Sequence, residues 1–283
     1  MSAFKTVAVL GKGYLGSHVV AELAKQGFVV TVVTRDSSNV TDLPKGVVST
    51  QVDYGSIDSI VNVLEGQDVV ISTLSADTIM LQRTIIDAAV KAGALENVPF
   101  MAAFGEINGY LAKLAEAGTL EWTQFAIGAF LDYAINYPLF FDAKGRSVRY
   151  FNFGSHPFSS TRVETVGRVI ALAMTRREAT KNRTITIHEA LLSQRRLVGI
   201  SKKLTKGEEW TETYINGEEE YNKQLAIQKS GDMSNVMPML QAAISTGKFN
   251  GAYLTSDNEE FGVTMLTEKD IESKVAGALG LSA

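Results

Sequence analysis

Short unbroken apolar runs alternate with helix-spaced apolar faces through the first half of this chain. TVAVLG at residues 6–11 has the pattern of a strand buried on both faces. SHVVAELAKQG after it sets Val19, Val20, Leu23 and Ala24 on one helical face and stops at Gly27. FVVTVVTR (28–35) is β-branched and predicts a second strand, and GVVSTQVDY (46–54) a weaker third. SIDSIVNVLEG predicts an amphipathic helix with Ser56 as its N-cap and Gly66 just past its end. DVVISTLS (68–75), VPFMAAFG (98–105) and LEWTQFAIG (120–128) predict strands four to six, with helices over 78–93 and 106–118 between them.

Strands that alternate with helices imply a parallel sheet with right-handed crossovers. The expected fold is therefore α/β, a doubly wound parallel Rossmann sheet, with its ligand outside the carboxyl ends of the strands. The rhythm changes after Gly128. Residues 129–162 are aromatic and irregular, with a turn at DAKGR; a clear helix (163–179) and strand (182–189) follow, and the tail holds scattered helices. The expected division is a nucleotide-binding domain over 1–128, to which 162–188 returns, and a smaller C-terminal substrate lobe over 129–283.

Composition removes several classes of function. There is no cysteine, so disulfide and thiolate chemistry are excluded. His18, His156 and His188 lie far apart and in no metal-ligand spacing, so no metal site is expected. The net charge is −4, and the densest basic stretch, RREATKNR, reads as the solvated end of a helix, so no nucleic-acid partner is expected. No signal-peptide pattern and no run of eighteen apolar residues is present, which makes a cytoplasmic protein without a membrane partner the expectation.

The chemistry is carried by Gly11, Gly13 and Gly16, a G-x-G-x-x-G that follows a strand and opens a helix. Gly11 permits a tight turn, Gly13 lets backbone approach a pyrophosphate, and Gly16 permits close helix–strand packing. Lys12, Tyr14 and Leu15 complete the loop, and the helix N-terminus offers free N–H groups to phosphate. Strand two ends in Thr34 and Arg35, where a guanidinium can fork onto a 2′-phosphate, so NADP is favoured over NAD. Asp36, one step on, has turn initiation as its competing role. Asp53 after strand three and Leu74 with Ser75 after strand four are placed near the cofactor by topology, with a plain turn role for Asp53 equally open.

These residues carry a resemblance. VLGKGYLGS, VVTRDSS, VVISTLS, LQRTIIDAAVKAG, LEWTQFAIGAFLDY and HPFSSTRVETVGRVI occur in the order found in the NmrA-like, isoflavone reductase-like family of atypical short-chain dehydrogenases, over residues 5 to about 190. The resemblance implies an NADPH-dependent reductase of a small aromatic secondary metabolite, or a dinucleotide-binding regulator with a protein partner. It supports Gly11 to Gly16 on the pyrophosphate and Arg35 on the 2′-phosphate, with Lys45 a second candidate there. The family's catalytic lysine falls on Phe104 or in a gap, and the arginine one turn later falls on Asn108. No catalytic residue is thereby assigned: divergence and a truncated gene model that yields an inactive product are both open. Tyr110 and Lys113, three apart on one helix, could replace the acid or belong to a plain amphipathic helix. His156, Tyr133 and the aromatic stretches YPLFF and YFNF suit either a substrate pocket or lobe core.

Overall fold

The computed structural model describes residues 4–74, 78, 81–94, 96–99, 105–137, 140–230, 234–247 and 251–281. In chain order the first elements are β1 (Thr6–Leu10), α1 (Tyr14–Lys25), β2 (Val29–Thr34), β3 (Val48–Gln51), α2 (Ile57–Leu64), β4 (Val69–Ser72), α3 (Gln82–Lys91), β5 (Glu96–Pro99), α4 (Gly105–Glu116) and β6 (Glu121–Ala126). Then come β7 (Ala129–Phe130), α5 (Leu131–Asn136), β8 (Ser147–Phe151), β9 (Phe158–Thr161), α6 (Val163–Met174), α7 (Arg177–Thr180) and β10 (Arg183–Thr186). The chain closes with β11 (Ala190–Leu192), α8 (Gln194–Leu204), β12 (Thr211–Ile215), α9 (Gly217–Lys229), α10 (Val236–Ser245) and α11 (Glu268–Ala278).

Two compact units result: Met1–Ala126 with Val163–Ile185, and Ile127–Arg162 with Thr186–Ala283. The first is built on a seven-stranded sheet in the order β10-β6-β5-β4-β1-β2-β3. β1 pairs in parallel with both β2 and β4, so the order reverses at β1 and opens a crevice at the carboxyl ends of β1 and β4. Four of the five β1 residues are fully buried, as the unbroken apolar run demands. Val19, Val20 and Leu23 turn inward from α1, each burial worth about 1.5–3 kcal/mol. Ser56 caps α2 by accepting the Ser59 N–H, and Gly66 follows at φ +76°. α6 packs along α1 so closely that a Cβ on Gly167 would lie 2.9 Å from the His18 backbone, which makes His18 a packing residue.

Strand five departs from its expected span. Its described part covers Glu96–Pro99, starting two residues before the expected Val98, and the rest of the expected span up to Phe104 lies outside the described residues.

The second unit holds the parallel pair β12-β8 and the three-stranded order β11-β9-β7. Phe140 stacks on Phe158 at 4.4 Å between centroids, Phe141 lies over Trp210, and Tyr150 and Phe151 are buried with them. The pocket reading of YPLFF and YFNF therefore fails for these four rings, whose apolar area is spent on lobe core. Tyr137 and Phe153 remain exposed. Gln194 ties this core: its Oε1 accepts the Phe151 N–H, and its Nε2 donates to the Phe140 and Arg149 carbonyls. Among the described residues no helix is long and apolar enough to cross a membrane, and no cluster of acidic and histidine side chains could hold a metal.

Candidate functional site

The glycine loop lies where β1 hands over to α1. Gly11 has φ +89°, a conformation that glycine adopts without a steric penalty, and its N–H donates to the Val33 carbonyl at 3.0 Å. A Cβ on Gly16 would overlap the Gly11 carbonyl oxygen and come within 2.6 Å of Thr73 Oγ1. A Cβ on Gly13 would meet nothing within 4 Å, so that side of the loop is open.

Thr73, which sequence reasoning passed over in favour of its neighbours, holds this turn in place. Its N–H donates to the Leu10 carbonyl at 3.0 Å and its hydroxyl to the Gly11 carbonyl at 2.7 Å. The available signal was a hydroxyl residue just past a buried strand beside the switch point. Leu74 follows, with Cδ2 only 3.1 Å from where a Gly11 Cβ would be. Thr73→Val keeps shape and removes the hydroxyl, so NADPH binding is expected to weaken about 5-fold, the worth of one hydrogen bond, in a fluorescence titration.

Gly13 is the N-cap of α1 and brings no capping side chain, and the first turn has no acidic residue. The Leu15 and Gly16 N–H groups thus have no intrahelical partner. With the positive end of the helix dipole behind them, they suit an anion. An open Gly13 and an uncapped helix fit a pyrophosphate.

The end of β2 supplies positive charge beside the loop. Thr34 is half-buried and Arg35 is exposed. Asp36 turns away, its Oδ1 accepting both the N–H and the hydroxyl of Ser38, and so takes the turn role. Arg35 lies within electrostatic reach of Tyr54, whose phenol donates to the Val33 carbonyl at 3.4 Å. Burial pushes the Tyr54 pKa up and the Arg35 charge opposes it. Lys12 Nζ donates to the Thr41 carbonyl, tying the glycine loop to the segment after β2. Lys45 is exposed further along that segment. Asp53 closes a turn with Oδ1 on the Gly55 N–H at 2.8 Å, and no described residue takes its second oxygen. Gly11 to Gly16, Thr34, Arg35, Asp53, Thr73 and Leu74 all belong to the carboxyl edge of one sheet; Ser75 lies outside the described residues.

The Tyr110–Lys113 pair is not an acid with its activating lysine. Tyr110 donates instead to Asp87 Oδ1, and the Arg83 guanidinium lies 4.2 Å over its ring. The bond to Asp87 and burial raise the Tyr110 pKa, the reverse of activation. The ring packs with Ile86, Leu111 and Leu120. Tyr110→Phe is expected to leave cofactor binding and turnover within about twofold of wild type and to cost roughly 1 kcal/mol of stability, read from melting. Asn108 accepts the Gln124 amide at 2.6 Å and is likewise structural. His156 packs against Gly247, where a Cβ would reach 2.9 Å from Cε1. Tyr133 lies between Phe130 and Tyr137, its ring tilted against both, at 6.0 and 4.6 Å between centroids.

A doubly wound parallel sheet, a glycine turn at its switch point and an uncapped helix behind that turn define a dinucleotide-binding α/β protein. Residues 11–134 match the family model described as NAD(P)H-binding. An Aspergillus flavus protein named oxidoreductase aprR is 30% identical, over 97% of this chain and 98% of its own length. The isoflavone reductase homolog IRL of Zea mays is 34% identical over 36% of this chain and 35% of its own. Among solved structures, the Citrobacter sp. triphenylmethane reductase complexed with NADP(H) superposes with a TM-score of 0.71 at 18% identity, covering 97% of this chain and 100% of that one. This chain belongs to the same family as that Aspergillus flavus oxidoreductase.

Proposed function

We propose that the protein is an NADPH-dependent reductase of a small aromatic carbonyl compound of secondary metabolism, working in the cytoplasm. The observation that carries this reading is the open Gly13 at an uncapped helix N-terminus, with Arg35 exposed at the end of β2. Gly11, Lys12, Gly13, Tyr14, Leu15 and Gly16 hold the pyrophosphate, Thr34 and Arg35 meet the 2′-phosphate side, and Asp53 and Leu74 border the adenine and nicotinamide ends. The bound cofactor supplies the hydride. The unit of Ile127–Arg162 and Thr186–Ala283 receives the substrate, and the Phe130–Tyr133–Tyr137 cluster of tilted rings, with Tyr137 54% exposed, suits an aromatic ring.

Fluorescence titration with NADPH and NADH, followed by NADPH oxidation with trans-chalcone and related aryl enones, tests the reading. Tight NADPH binding, weaker NADH binding and enone-dependent oxidation support it; equal affinity for both cofactors, or none, refutes it. A second reading, an NADP-sensing regulator with a protein partner, draws on the engagement of Tyr110 by Asp87. It requires cofactor binding without turnover on any enone and a partner affinity that differs between NADP⁺ and NADPH.

A further inference from the structure

Strands β8 and β12 form a small parallel ladder whose two outer edges differ. The Thr211 N–H donates to the Arg146 carbonyl at 2.9 Å, and the Asn152 N–H to the Ile215 carbonyl at 2.9 Å. Alternate residues of a strand turn to opposite edges, so Thr211, Thr213 and Ile215 bond to β8 while Glu212 and Tyr214 point their N–H and C=O groups away from it. The far edge of β8 is covered. Ser147 exchanges hydrogen bonds of 2.8 and 3.1 Å with Asp142, Gln194 takes the Arg149 carbonyl and the Phe151 N–H, and the Gly154 N–H takes the Phe151 carbonyl. The far edge of β12 is open: among the described residues nothing bonds to the backbone of Glu212 or Tyr214.

That edge also lacks the usual guards. Strand edges are ordinarily kept from pairing by lysine, proline, a bulge or a covering segment. β12 reads TETYI, and its register with β8 runs without a bulge from Thr211 to Ile215. Its one charge, Glu212, is engaged within the chain: Oε1 accepts from Lys202 and the Tyr150 phenol, and Oε2 from the Tyr214 phenol at 3.1 Å. Thr211, Thr213 and Tyr214 are exposed, Tyr214 to 54%. An open edge lined with threonine and tyrosine suits pairing with another strand.

The spacing of the open groups selects the partner. A second β12, set antiparallel about a twofold axis at Thr213, places the partner's Tyr214 opposite Glu212 and the partner's Glu212 opposite Tyr214. Each of these pairs exchanges both of its backbone hydrogen bonds, so every open group on both strands is satisfied. Thr213, whose own backbone groups face β8, meets the partner's Thr213 in the closer, non-bonded kind of pair, a favourable one for threonine. The two Glu212 carboxylates stay apart, since each faces a phenol. We infer that β12 is the contact between two copies of this chain, joining the β8-β12 ladder of each into one continuous sheet. Such a contact uses the same patch on both copies. A five-residue strand buries little area, so the dimer forms and dissociates with concentration.

Sedimentation velocity of the full chain reads the state directly, with a monomer at nanomolar and a dimer at high micromolar concentration as the expected result. Tyr214→Pro removes an outward N–H and leaves the bonds to β8 intact, whereas Tyr214→Ala removes the same ring and keeps the N–H. The proline variant is expected to be monomeric at concentrations where the alanine variant still dimerises. The chain has no cysteine, so an introduced thiol reports without background. Thr213→Cys sets the two Cα atoms about 4.5 Å apart, inside the range a disulfide spans, and mild oxidation is expected to give a covalent dimer. Thr211→Cys sets the two thiols four strand positions apart, about 13 Å, and is expected to stay uncrosslinked. A monomer at every concentration overturns the inference and leaves the edge to an extended peptide of another protein or to water. A dimer that survives Tyr214→Pro, or one that crosslinks equally at 211 and 213, overturns it as well, because another surface or random collision then joins the copies. If the proline variant does not fold, the two cysteine variants decide alone.

Discussion

Gly16→Ala is expected to abolish NADPH binding. The added methyl group has no room, because it would overlap the Gly11 carbonyl oxygen and press on Thr73 Oγ1 at 2.6 Å. Thr73 cannot yield, since its hydroxyl and N–H are both spent on the turn it supports. Relief therefore moves the first turn of α1 away from β1 and disperses the N–H groups that face the phosphates. Overpacking of this kind costs about 1–3 kcal/mol of stability, small enough for a 283-residue protein to stay folded. Loss of the phosphate-facing geometry is expected to weaken binding by about 100-fold or more, as two lost charge-assisted hydrogen bonds would. Melting and fluorescence titration of one preparation separate these effects. An alanine variant that melts slightly lower yet binds NADPH normally would show that the loop is only a strand–helix connection. Gly13→Ala is the matched control: its methyl group meets no protein atom, so stability should be unchanged while binding falls.

Arg35→Gln is expected to erase the preference for NADPH over NADH. Arg35 is exposed, and beyond the charge it places on Tyr54 it has no described ion-pair partner, so its loss should not disturb the fold. A guanidinium on a phosphate contributes roughly 1.5–3 kcal/mol, which predicts NADPH binding weaker by about 10- to 100-fold. NADH lacks the 2′-phosphate and should bind within about twofold of its wild-type affinity. The NADPH affinity of the wild type should also fall with added salt more steeply than that of the variant. If the preference survives, Lys12 or Lys45 carries the phosphate. Lys12→Ala then separates them, since Lys12 already lies beside the segment after β2 through its bond to Thr41.

Most of the nucleotide-binding unit was legible because its signals are local. A buried parallel strand reads as an apolar run, a helix ends at Gly27, Gly66 or Gly93 with positive φ, and Ser56 caps the helix it precedes. Strand five begins two residues before its expected start, because Glu96 and Asn97 pair with Val69 and Val70 although neither is apolar. The aromatic stretches were ambiguous for a different reason. Phe140 and Tyr137 stand three apart in one cluster, and only tertiary packing sends the first under Phe158 and leaves the second half-exposed.

By itself the sequence determined the class of fold, the glycine turn and the kind of cofactor, because backbone conformation and phosphate contact depend on residues adjacent in the chain. Only the tertiary structure decided which side chains are already engaged. Thr73 became part of the loop because β4 lies beside β1, and Tyr110 was removed from the chemistry because α3 brings Asp87 to it. Tyr253 meets Gly128 across 125 positions of chain. A hydrogen bond between residues that far apart leaves no periodicity to read, and whether a donor is spent or free depends on its neighbours in space.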